Sequence, residues 1–232
     1  MKAFLLAAGY GTRLRPLTNT VPKCMVPIAG RPLLAWWMDL FNRYGVTDVL
    51  LNTHYLPEPV REFIAVYNRQ KQGAKLLEYH EPNLLGSGGT VRENHSFIGN
   101  DSSFLICYAD NLTKANLGEL MSVHAQNDSL LTMGLFHASD PKSCGIATLD
   151  ENGRIVEFVE KPDNPKSDLA NAGIYVADSK IFSYLGNQTP LDFGKDVLPQ
   201  LVGKMSGFLI KDYLLDIGTM PNYERAQKEW SP

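Results

Sequence analysis

The residues best suited to phosphate chemistry lie close to the N-terminus. A short apolar run at residues 4–8 predicts a buried strand, and Gly9, Gly11, Thr12 and Arg13 follow it at once. Glycine lets the backbone approach an anion and point its N–H groups at it, and arginine adds a forked, permanent positive charge. The stretch lacks the third glycine of a dinucleotide fingerprint, and no P-loop pattern occurs in the chain. It therefore indicates another kind of phosphate site, the alternative being an ordinary strand-to-helix turn.

Three charged residues further along the chain could serve the same chemistry. Lys23 is the only charge in an apolar, proline-rich segment, which indicates a side chain held in a cleft, unless it simply reaches to water. Asp110 follows the apolar strand predicted at residues 103–108, at the strand end where open α/β sheets bind ligands. Such a carboxylate beside a polyphosphate is a natural Mg²⁺ ligand, the alternative being an Asx turn. Asp216 ends a late apolar strand and could share this metal, the alternative being a cap of the last helix.

A second glycine-rich turn covers residues 81–90 and contains Gly86 and Ser87. Glycines at the end of a sheet strand let a flat ligand such as a nucleobase lie against the backbone, and they leave amides free to hydrogen-bond it. The alternative is a helix N-terminus capped by Ser87, and both interpretations can hold together. A helix is predicted from Val91 onward.

The elements that position these residues alternate between strands and helices. This pattern predicts an α/β fold, with a Rossmann-like, mostly parallel sheet flanked by helices and a small inserted β lobe. An Asn-Gly turn predicts the hairpin of that lobe. The predicted strands cover residues 4–8, 48–52, 74–80, 103–108, 130–137, 145–149, 154–159, 170–176 and 213–215, and the predicted helices 32–44, 59–67, 117–126, 193–201 and 221–230.

Composition narrows the class of protein. The chain has 232 residues, of which 44% are hydrophobic and 20% charged, enough for a core and too little charge for disorder. A net charge of −3 gives no positive field for nucleic acid or acidic membranes. The three cysteines form no C-x-x-C pair, and neither a signal peptide nor an apolar run of membrane-spanning length is seen. We therefore expect a soluble, cytoplasmic protein with no nucleic-acid or membrane partner.

Seven motifs in order carry a family resemblance: LAAGYGTRLRPLT, PKCMVPIAGRPLL, LGSGGT, YAD, FVEKP, NAGIYV and LLDIGT. From Lys2 to about Ala226 the chain resembles the sugar-1-phosphate nucleotidylyltransferases, also called nucleotide-sugar pyrophosphorylases. The resemblance implies the nucleotide-diphospho-sugar transferase fold. It also implies a single catalytic domain over residues 1–232, with a sugar-binding lobe inserted at about 138–190.

The implied reaction joins an NTP and a sugar 1-phosphate to give an NDP-sugar and pyrophosphate. By resemblance, Arg13 clamps the leaving phosphates, Lys23 stabilises charge at the α-phosphate, and Asp110 and Asp216 hold Mg²⁺. The implied nucleotide site comprises Leu6, Ala7, Ala8, Gly9, Gly11, Thr12, Arg13, Lys23, Glu81, Gly86, Ser87 and Asp110. The implied sugar phosphate site comprises Gly145, Glu160, Lys161, Asn171 and Asp216.

Three departures from the family pattern concern base preference more than chemistry. They are Cys24, where proline is frequent, Ala109, where glycine is commoner, and Ser87, where threonine is frequent. We interpret the chain as a guanylyltransferase for a mannose- or heptose-type 1-phosphate. The alternatives are a glucose-1-phosphate thymidylyl- or uridylyltransferase, a cytidylyltransferase for a phosphorylated alcohol, or a non-catalytic nucleotide-sugar-binding subunit. The sequence leaves the oligomeric state open.

Overall fold

The computed structural model describes residues 1–70 and 73–231, and the chain divides into two compact units. Unit 1 comprises Met1–Leu84, Cys107–Lys114 and Tyr213–Pro232, and unit 2 comprises Leu85–Ile106 and Ala115–Asp212. The chain therefore leaves unit 1 and returns to it twice. That residues 1–232 act as a single catalytic domain remains a prediction.

Strands and α-helices are numbered separately in chain order. The strands are β1 (Lys2–Leu6), β2 (Pro27–Ile28), β3 (Arg31–Pro32), β4 (Asp48–Thr53), β5 (Lys75–His80), β6 (Ser103–Tyr108), β7 (Asn111–Thr113), β8 (Leu131–His137), β9 (Gly145–Leu149), β10 (Ile155–Glu160), β11 (Leu169–Asp178), β12 (Met205–Leu209) and β13 (Leu214–Asp216). The α-helices are α1 (Leu33–Arg43), α2 (Pro57–Arg69), α3 (Ser87–Glu93), α4 (Leu117–Gln126) and α5 (Met220–Glu229).

A parallel sheet forms the centre of unit 1. Strand β4 pairs with β1 on one side and with β5 on the other, both in parallel. Its apolar residues are buried, as are Trp37 and Phe41 of α1, because a parallel sheet is covered by the helices that connect its strands. The predicted β-α-β-α-β order and the α/β fold class are confirmed.

The segment before α1 differs from the prediction. The sequence analysis predicted no strand in this proline-rich segment, yet β2 and β3, of two residues each, pair there as an antiparallel hairpin. Ala29 and Gly30, both at positive φ, make the turn between them. Pro32 was expected at the first helical position but is the N-cap residue of α1, since it is still extended with ψ 142°.

A second, antiparallel pair completes unit 1. Strand β13 pairs with β7 in a register that sets Asp216 opposite Asn111. The sequence did not predict β7, which is only three residues long. Helix α5 follows β13, and its N-cap is Thr219, whose Oγ1 accepts a hydrogen bond from the Asn222 amide at 3.4 Å. The alternative that Asp216 caps this helix is therefore wrong.

Unit 2 is largely antiparallel. Strand β11 pairs antiparallel with β8 and β9, β9 pairs antiparallel with β10, and β12 runs parallel to its neighbour β8. The predicted hairpin of β9 and β10 is confirmed. Its turn is closed by Asp150 Oδ1, which accepts from the amides of Asn152 and Arg154 at 3.0 and 2.8 Å, with Gly153 at φ 75°.

Two helix predictions in unit 2 need correction. Helix α3 begins at Ser87, not Val91, with Gly86 as its N-cap. The helix expected at residues 193–201 is a π turn over Phe193–Val197 followed by a 3₁₀ turn over Leu198–Leu201. Pro199 explains the break, because proline has no N–H to donate and disturbs the preceding turn. Across residues 1–70 and 73–231, no helix combines the length and apolarity that a membrane span requires.

Candidate active site

The loop after β1 is held in one conformation by its own side chains. Gly11 has φ 63°, a left-handed conformation that favours glycine. The Thr18 hydroxyl donates to the Gly11 carbonyl at 2.7 Å, and a Cβ at Gly11 would lie 3.0 Å from the Thr18 methyl group. Thr12–Leu14 then forms a 3₁₀ turn that carries Arg13. The loop thus carries the exposed guanidinium of Arg13.

A cavity of about 250 Å³ opens beside this loop within unit 1. It is lined by backbone at the end of β1, by the loop and by charged side chains from later segments. The lining residues are Leu6, Ala7, Gly9, Gly11, Thr12, Arg13, Lys23, Cys24, Ala109, Asp110 and Gly218. Eight of the twelve residues predicted for the nucleotide are in this set. Ala8, in the loop after β1, is buried.

Lys23 lies at the start of a 3₁₀ turn, Lys23–Met25, and its side chain is only 13% exposed. Its Nζ is 2.5 Å from Asp110 Oδ2 and 3.6 Å from Asp216 Oδ1. The lysine is therefore held in the cleft between two carboxylates, and little of its side chain is exposed. Its neighbour Cys24 is buried, which raises the pKa of that thiol to about 12, so it stays protonated and is no nucleophile at neutral pH.

Asp110 and Asp216 come together by a route that the sequence did not indicate. Since each was predicted to end an apolar strand, they were expected to meet at the carboxyl edge of one sheet. Instead Asp110 lies in the turn between β6 and β7, and Asp216 is the last residue of β13, the partner of β7. The Ile217 amide donates to the Asp110 carbonyl at 2.8 Å and joins the two segments just beyond the ladder.

The Asp216 carboxylate lies among both like and opposite charges. Burial raises its pKa, the negative charge of Asp110 raises it further, and Lys23 and Arg13 oppose the shift. The side chain as a whole is 47% exposed, but its Oδ1 atom is buried and accepts no hydrogen bond. A Cβ at Gly218 would lie 2.7 Å from this Oδ1 and 2.9 Å from Arg13 Nη2. The Asp216 carboxylate and the Arg13 guanidinium therefore both lie against Gly218.

These two carboxylates fit a divalent metal. Mg²⁺ in phosphate sites takes one or two carboxylates and completes its octahedron with phosphate oxygens and water. Asp216 Oδ1, buried without a hydrogen bond, is the kind of oxygen that a cation would satisfy. No cluster of three or more His, Cys, Asp or Glu side chains occurs in the described part of the chain. A metal bound here would therefore take its remaining ligands from a bound phosphate and from water.

Glu81, predicted for the nucleotide, lies in unit 1 directly after β5. It is 1% exposed, and its Oε1 accepts from Asn52 Nδ2 at 2.8 Å. Asn52 also accepts from the Ala7 amide at 2.6 Å. The sequence analysis missed Asn52, although a polar residue near the carboxyl end of a parallel strand was the signal that singled out Asp110.

The glycine-rich turn in unit 2 serves packing more than was expected. A Cβ at Gly86 would collide with the Leu191 carbonyl, and Gly86 has φ 79°. The amides of Gly88 and Gly89 donate to that carbonyl at 2.9 and 3.2 Å, so these two are not free for a base. Ser87 does not cap α3; its hydroxyl accepts from the Phe193 amide at 2.8 Å.

The residues predicted for the sugar phosphate, apart from Asp216, lie in unit 2. Gly145 pairs with Glu160 across β9 and β10, and a Cβ at Gly145 would lie 2.6 Å from Glu160 Oε2. Burial raises the pKa of Glu160, and Asp192 adds to the shift while Lys161 and Lys195 oppose it. Lys161 is exposed at φ 51°, an uncommon conformation for a residue with a side chain.

Asn171 uses its side chain within its own strand. Its Nδ2 donates to the Tyr175 hydroxyl at 2.7 Å, and its Oδ1 accepts from the Gly173 amide at 2.9 Å. The pairing of β11 with β8 is irregular between Asn171 and Tyr175, so the amide holds a bulge closed. A role toward the sugar remains a prediction for this residue.

Comparison with known proteins identifies the family of this chain. The model of a family described as nucleotidyl transferase matches residues 2–231. The chain is 31% identical over 232 residues to a mannose-1-phosphate guanylyltransferase of Mycobacterium tuberculosis and 29% identical over 247 residues to a UTP–glucose-1-phosphate uridylyltransferase of Synechocystis. These alignments cover 98% and 97% of this chain but only 64% and 62% of those proteins.

A solved structure of similar size also matches. It is HddC from Yersinia pseudotuberculosis complexed with GMP-PN, which has a TM-score of 0.81 and 26% identity over 99% of both chains. Unlike the two longer relatives, it has nearly the extent of the present chain.

Proposed function

Since the chain belongs to the nucleotidyl transferase family, we propose that it transfers a nucleotidyl group from an NTP to a sugar 1-phosphate. An oxygen of the sugar phosphate bonds to the α-phosphorus as the bond to the β-phosphate oxygen breaks, and pyrophosphate leaves. The best candidate pair is GTP with a mannose- or heptose-type 1-phosphate. A guanylyltransferase among the relatives and a guanosine nucleotide bound to HddC support this choice.

One observation carries the proposal: Lys23 lies between Asp110 and Asp216 at the wall of the cavity beside the Gly9–Thr12 loop. Phosphoryl and nucleotidyl transfers need little covalent help from the protein, because positioning and neutralisation of charge supply most of the catalysis. The exposed Arg13, the largely buried Lys23 and the two aspartates together supply the positive and negative charges that such a transfer uses.

Each side chain has a role in this scheme. Arg13 would bind the β- and γ-phosphates, where negative charge grows as pyrophosphate leaves. Asp110 and Asp216 would hold Mg²⁺, which supplies charge neutralisation at the phosphate oxygens. Lys23, whose ammonium they otherwise share, would then be available to the α-phosphate. Glu160 and Lys161 would bind the sugar and its phosphate.

The test is pyrophosphate release over a grid of substrates. GTP, UTP, CTP and dTTP are each combined with mannose, heptose and glucose 1-phosphates and with a phosphorylated alcohol, in Mg²⁺ and in excess EDTA. We expect the highest kcat/KM with GTP and a mannose- or heptose-type 1-phosphate, and no release in EDTA. A preference for UTP or dTTP with glucose 1-phosphate, or for CTP with the alcohol, would reassign the substrates within the family.

A matched pair of lysine variants shows whether the observed cluster is responsible. Lys23→Met should abolish release, whereas Lys180→Met, whose parent side chain is 80% exposed, should leave it unchanged. Nucleotide-sugar binding without release for any pair would favour a non-catalytic binding subunit and overturn the proposal.

A further inference from the structure

Two residues at the end of β4 connect two different loops of unit 1. Strand β4 lies between β1 and β5 in the parallel sheet, so its carboxyl end lies between the loop after β1 and the loop after β5. Asn52 is the penultimate residue of β4, and His54 follows the strand directly. We call Asn52 and His54 together the β4 bridge.

Asn52 joins the two loops through its amide. Its Oδ1 accepts from the Ala7 amide at 2.6 Å, at the start of the phosphate loop, and its Nδ2 donates to Glu81 Oε1 at 2.8 Å. Asn52 is 4% exposed and Glu81 1% exposed. Hydrogen bonds between buried partners are stronger and geometrically stricter than those in water, so this side chain sets a definite spacing.

His54 joins the same two loops a second time. Its Nδ1 is 2.7 Å from the Glu81 carbonyl, and its Nε2 is 3.0 Å from the hydroxyl of Tyr10, in the phosphate loop. Because a carbonyl only accepts, Nδ1 carries the hydrogen, and in the neutral ring Nε2 accepts from Tyr10. The Tyr10 ring also meets the His54 ring edge-on, with centroids 5.3 Å apart.

From this double connection we infer that Asn52 and His54 are positioning residues for the NTP. They set the phosphate loop at residues 7–12 and the loop that begins at Glu81 at the separation one nucleotide requires. The inference rests on the proposed function, in which the first loop binds phosphates, together with the prediction from the family resemblance that Glu81 contacts the nucleotide. A ligand held at both ends gains affinity only when the two sites have the right spacing, because the second contact is then effectively intramolecular.

This role differs from a purely structural one in what it does to fragments of the nucleotide. If the bridge only stabilised the fold, its loss would lower the unfolding temperature and leave the relative affinities of ligands unchanged. A spacing role predicts that the whole NTP loses affinity while pyrophosphate, which contacts the phosphate loop alone, does not.

The first test uses a matched pair of tyrosine variants. Tyr10→Phe removes the hydroxyl that His54 Nε2 binds, at a side chain that is 46% exposed. Tyr55→Phe is the control, since Tyr55 contacts the Tyr10 ring but its hydroxyl is 3.4 Å from the Asn19 carbonyl, outside the bridge. Binding of GTP, UTP, CTP, dTTP and pyrophosphate is measured by calorimetry for each protein.

We expect Tyr10→Phe to weaken the best-bound NTP about three- to tenfold, the effect of one lost hydrogen bond, and to change pyrophosphate binding less than about twofold. Its KM for NTP should rise, with the KM for sugar 1-phosphate unchanged. The inference is overturned if Tyr10→Phe behaves like Tyr55→Phe, or if NTP and pyrophosphate weaken to the same extent.

A second test changes the buried half of the bridge. Asn52→Asp sets a carboxylate against Glu81 and should weaken NTP binding more than Tyr10→Phe does. In the Glu81→Gln background the same change should cost much less, because glutamine can donate to the new carboxylate. Equal losses in both backgrounds would contradict the Asn52–Glu81 connection.

The proposed function and the bridge can fail separately. If the wild-type protein binds an NTP but releases no pyrophosphate with any sugar 1-phosphate, only the proposed function is contradicted. The comparison of NTP affinity with pyrophosphate affinity still tests the β4 bridge. If the wild-type protein turns over its substrates but Tyr10→Phe shows no selective loss of NTP affinity, only the inference about the β4 bridge is contradicted.

Discussion

Each unit holds a carboxylate whose pKa is raised first by burial, but the two surroundings differ. Asp216 in unit 1 faces a second carboxylate, Asp110, and an ammonium and a guanidinium offset the repulsion. Glu160 in unit 2 is packed against glycine, with Cβ positions at Gly145 and Gly194 only 2.6 and 3.3 Å from its Oε2. The first arrangement suits a cation, since two like charges are brought together only with compensation. The second is a single acid whose raised pKa Lys161 and Lys195 oppose and Asp192 reinforces, with the glycine backbone in close contact.

The largest effect is expected when the cluster of Lys23, Asp110 and Asp216 in unit 1 is disrupted. Asp216→Asn should reduce turnover about 10³-fold, since a metal ligand that stabilises transition-state charge is lost, while the protein folds normally because a buried charge is removed. Asp128→Asn, at an exposed position, is the control. Steady-state kinetics over a range of Mg²⁺ and thermal unfolding measure both quantities. A destabilised Asp216→Asn protein with full activity would show that the aspartate is structural.

Arg13 tests whether the same region also stabilises the leaving group. Arg13→Ala should lower kcat about 10²-fold with little change in unfolding temperature, because the exposed guanidinium acts on charge that develops in the transition state. Arg154→Ala, on the unit 2 hairpin, gives the comparison for losing an exposed arginine. Near-normal kcat in folded Arg13→Ala protein would remove this residue from the mechanism.

Unit 2 should respond through KM instead of kcat. Lys161→Gly removes a charge and relieves a positive φ, so we expect an unfolding temperature equal to or above wild type and about a tenfold higher KM for the sugar 1-phosphate. Ala29→Gly, at φ 47° in unit 1, should give the same change in stability with both KM values unchanged. If the KM for NTP rises in Lys161→Gly, the assignment of the lobe to the sugar phosphate is wrong.

The smallest expected effect is a pH dependence of stability. A raised pKa means that folded Asp216 holds its proton more tightly than the unfolded chain does. Its contribution to stability is therefore complete below the unfolded pKa of about 3.9 and is lost as the pH rises through the folded pKa. Without divalent metal, the unfolding temperature of wild type should fall relative to Asp216→Asn over this range. Parallel profiles would contradict the raised pKa.

Short sequence motifs were sufficient to identify the charged residues of the candidate site. The strand followed by glycines and Arg13, the single Lys23 in an apolar segment and the two strand-ending aspartates were each visible as short motifs, and the structure brings these four charges together. Helices α1, α2, α4 and α5 and the β9–β10 hairpin were predicted for the same reason, since periodicity and turn residues act over short distances.

Pairings between distant segments could not be predicted this way. Strand β7 has three residues and no periodicity, so its ladder with β13 and the true meeting point of Asp110 and Asp216 were not visible. Likewise, the Gly88 and Gly89 amides were predicted to be free, because nothing in the sequence indicates that they donate to the carbonyl of Leu191, about a hundred residues later. Asn52 showed the right residue type in the right place, but its partners Ala7 and Glu81 depend on strand order.

The β7–β13 ladder also bears on how the protein becomes active as it is made. It joins residues separated by 100 positions, as in the hydrogen bond from Thr113 Oγ1 to the Tyr213 carbonyl, and Asp216 lies just past that bond. During synthesis, Asp110 leaves the ribosome about a hundred residues before Asp216, and Lys23 leaves it earlier still. A nascent chain therefore carries the phosphate loop early but has half of its acidic pair until β13 emerges and closes the ladder.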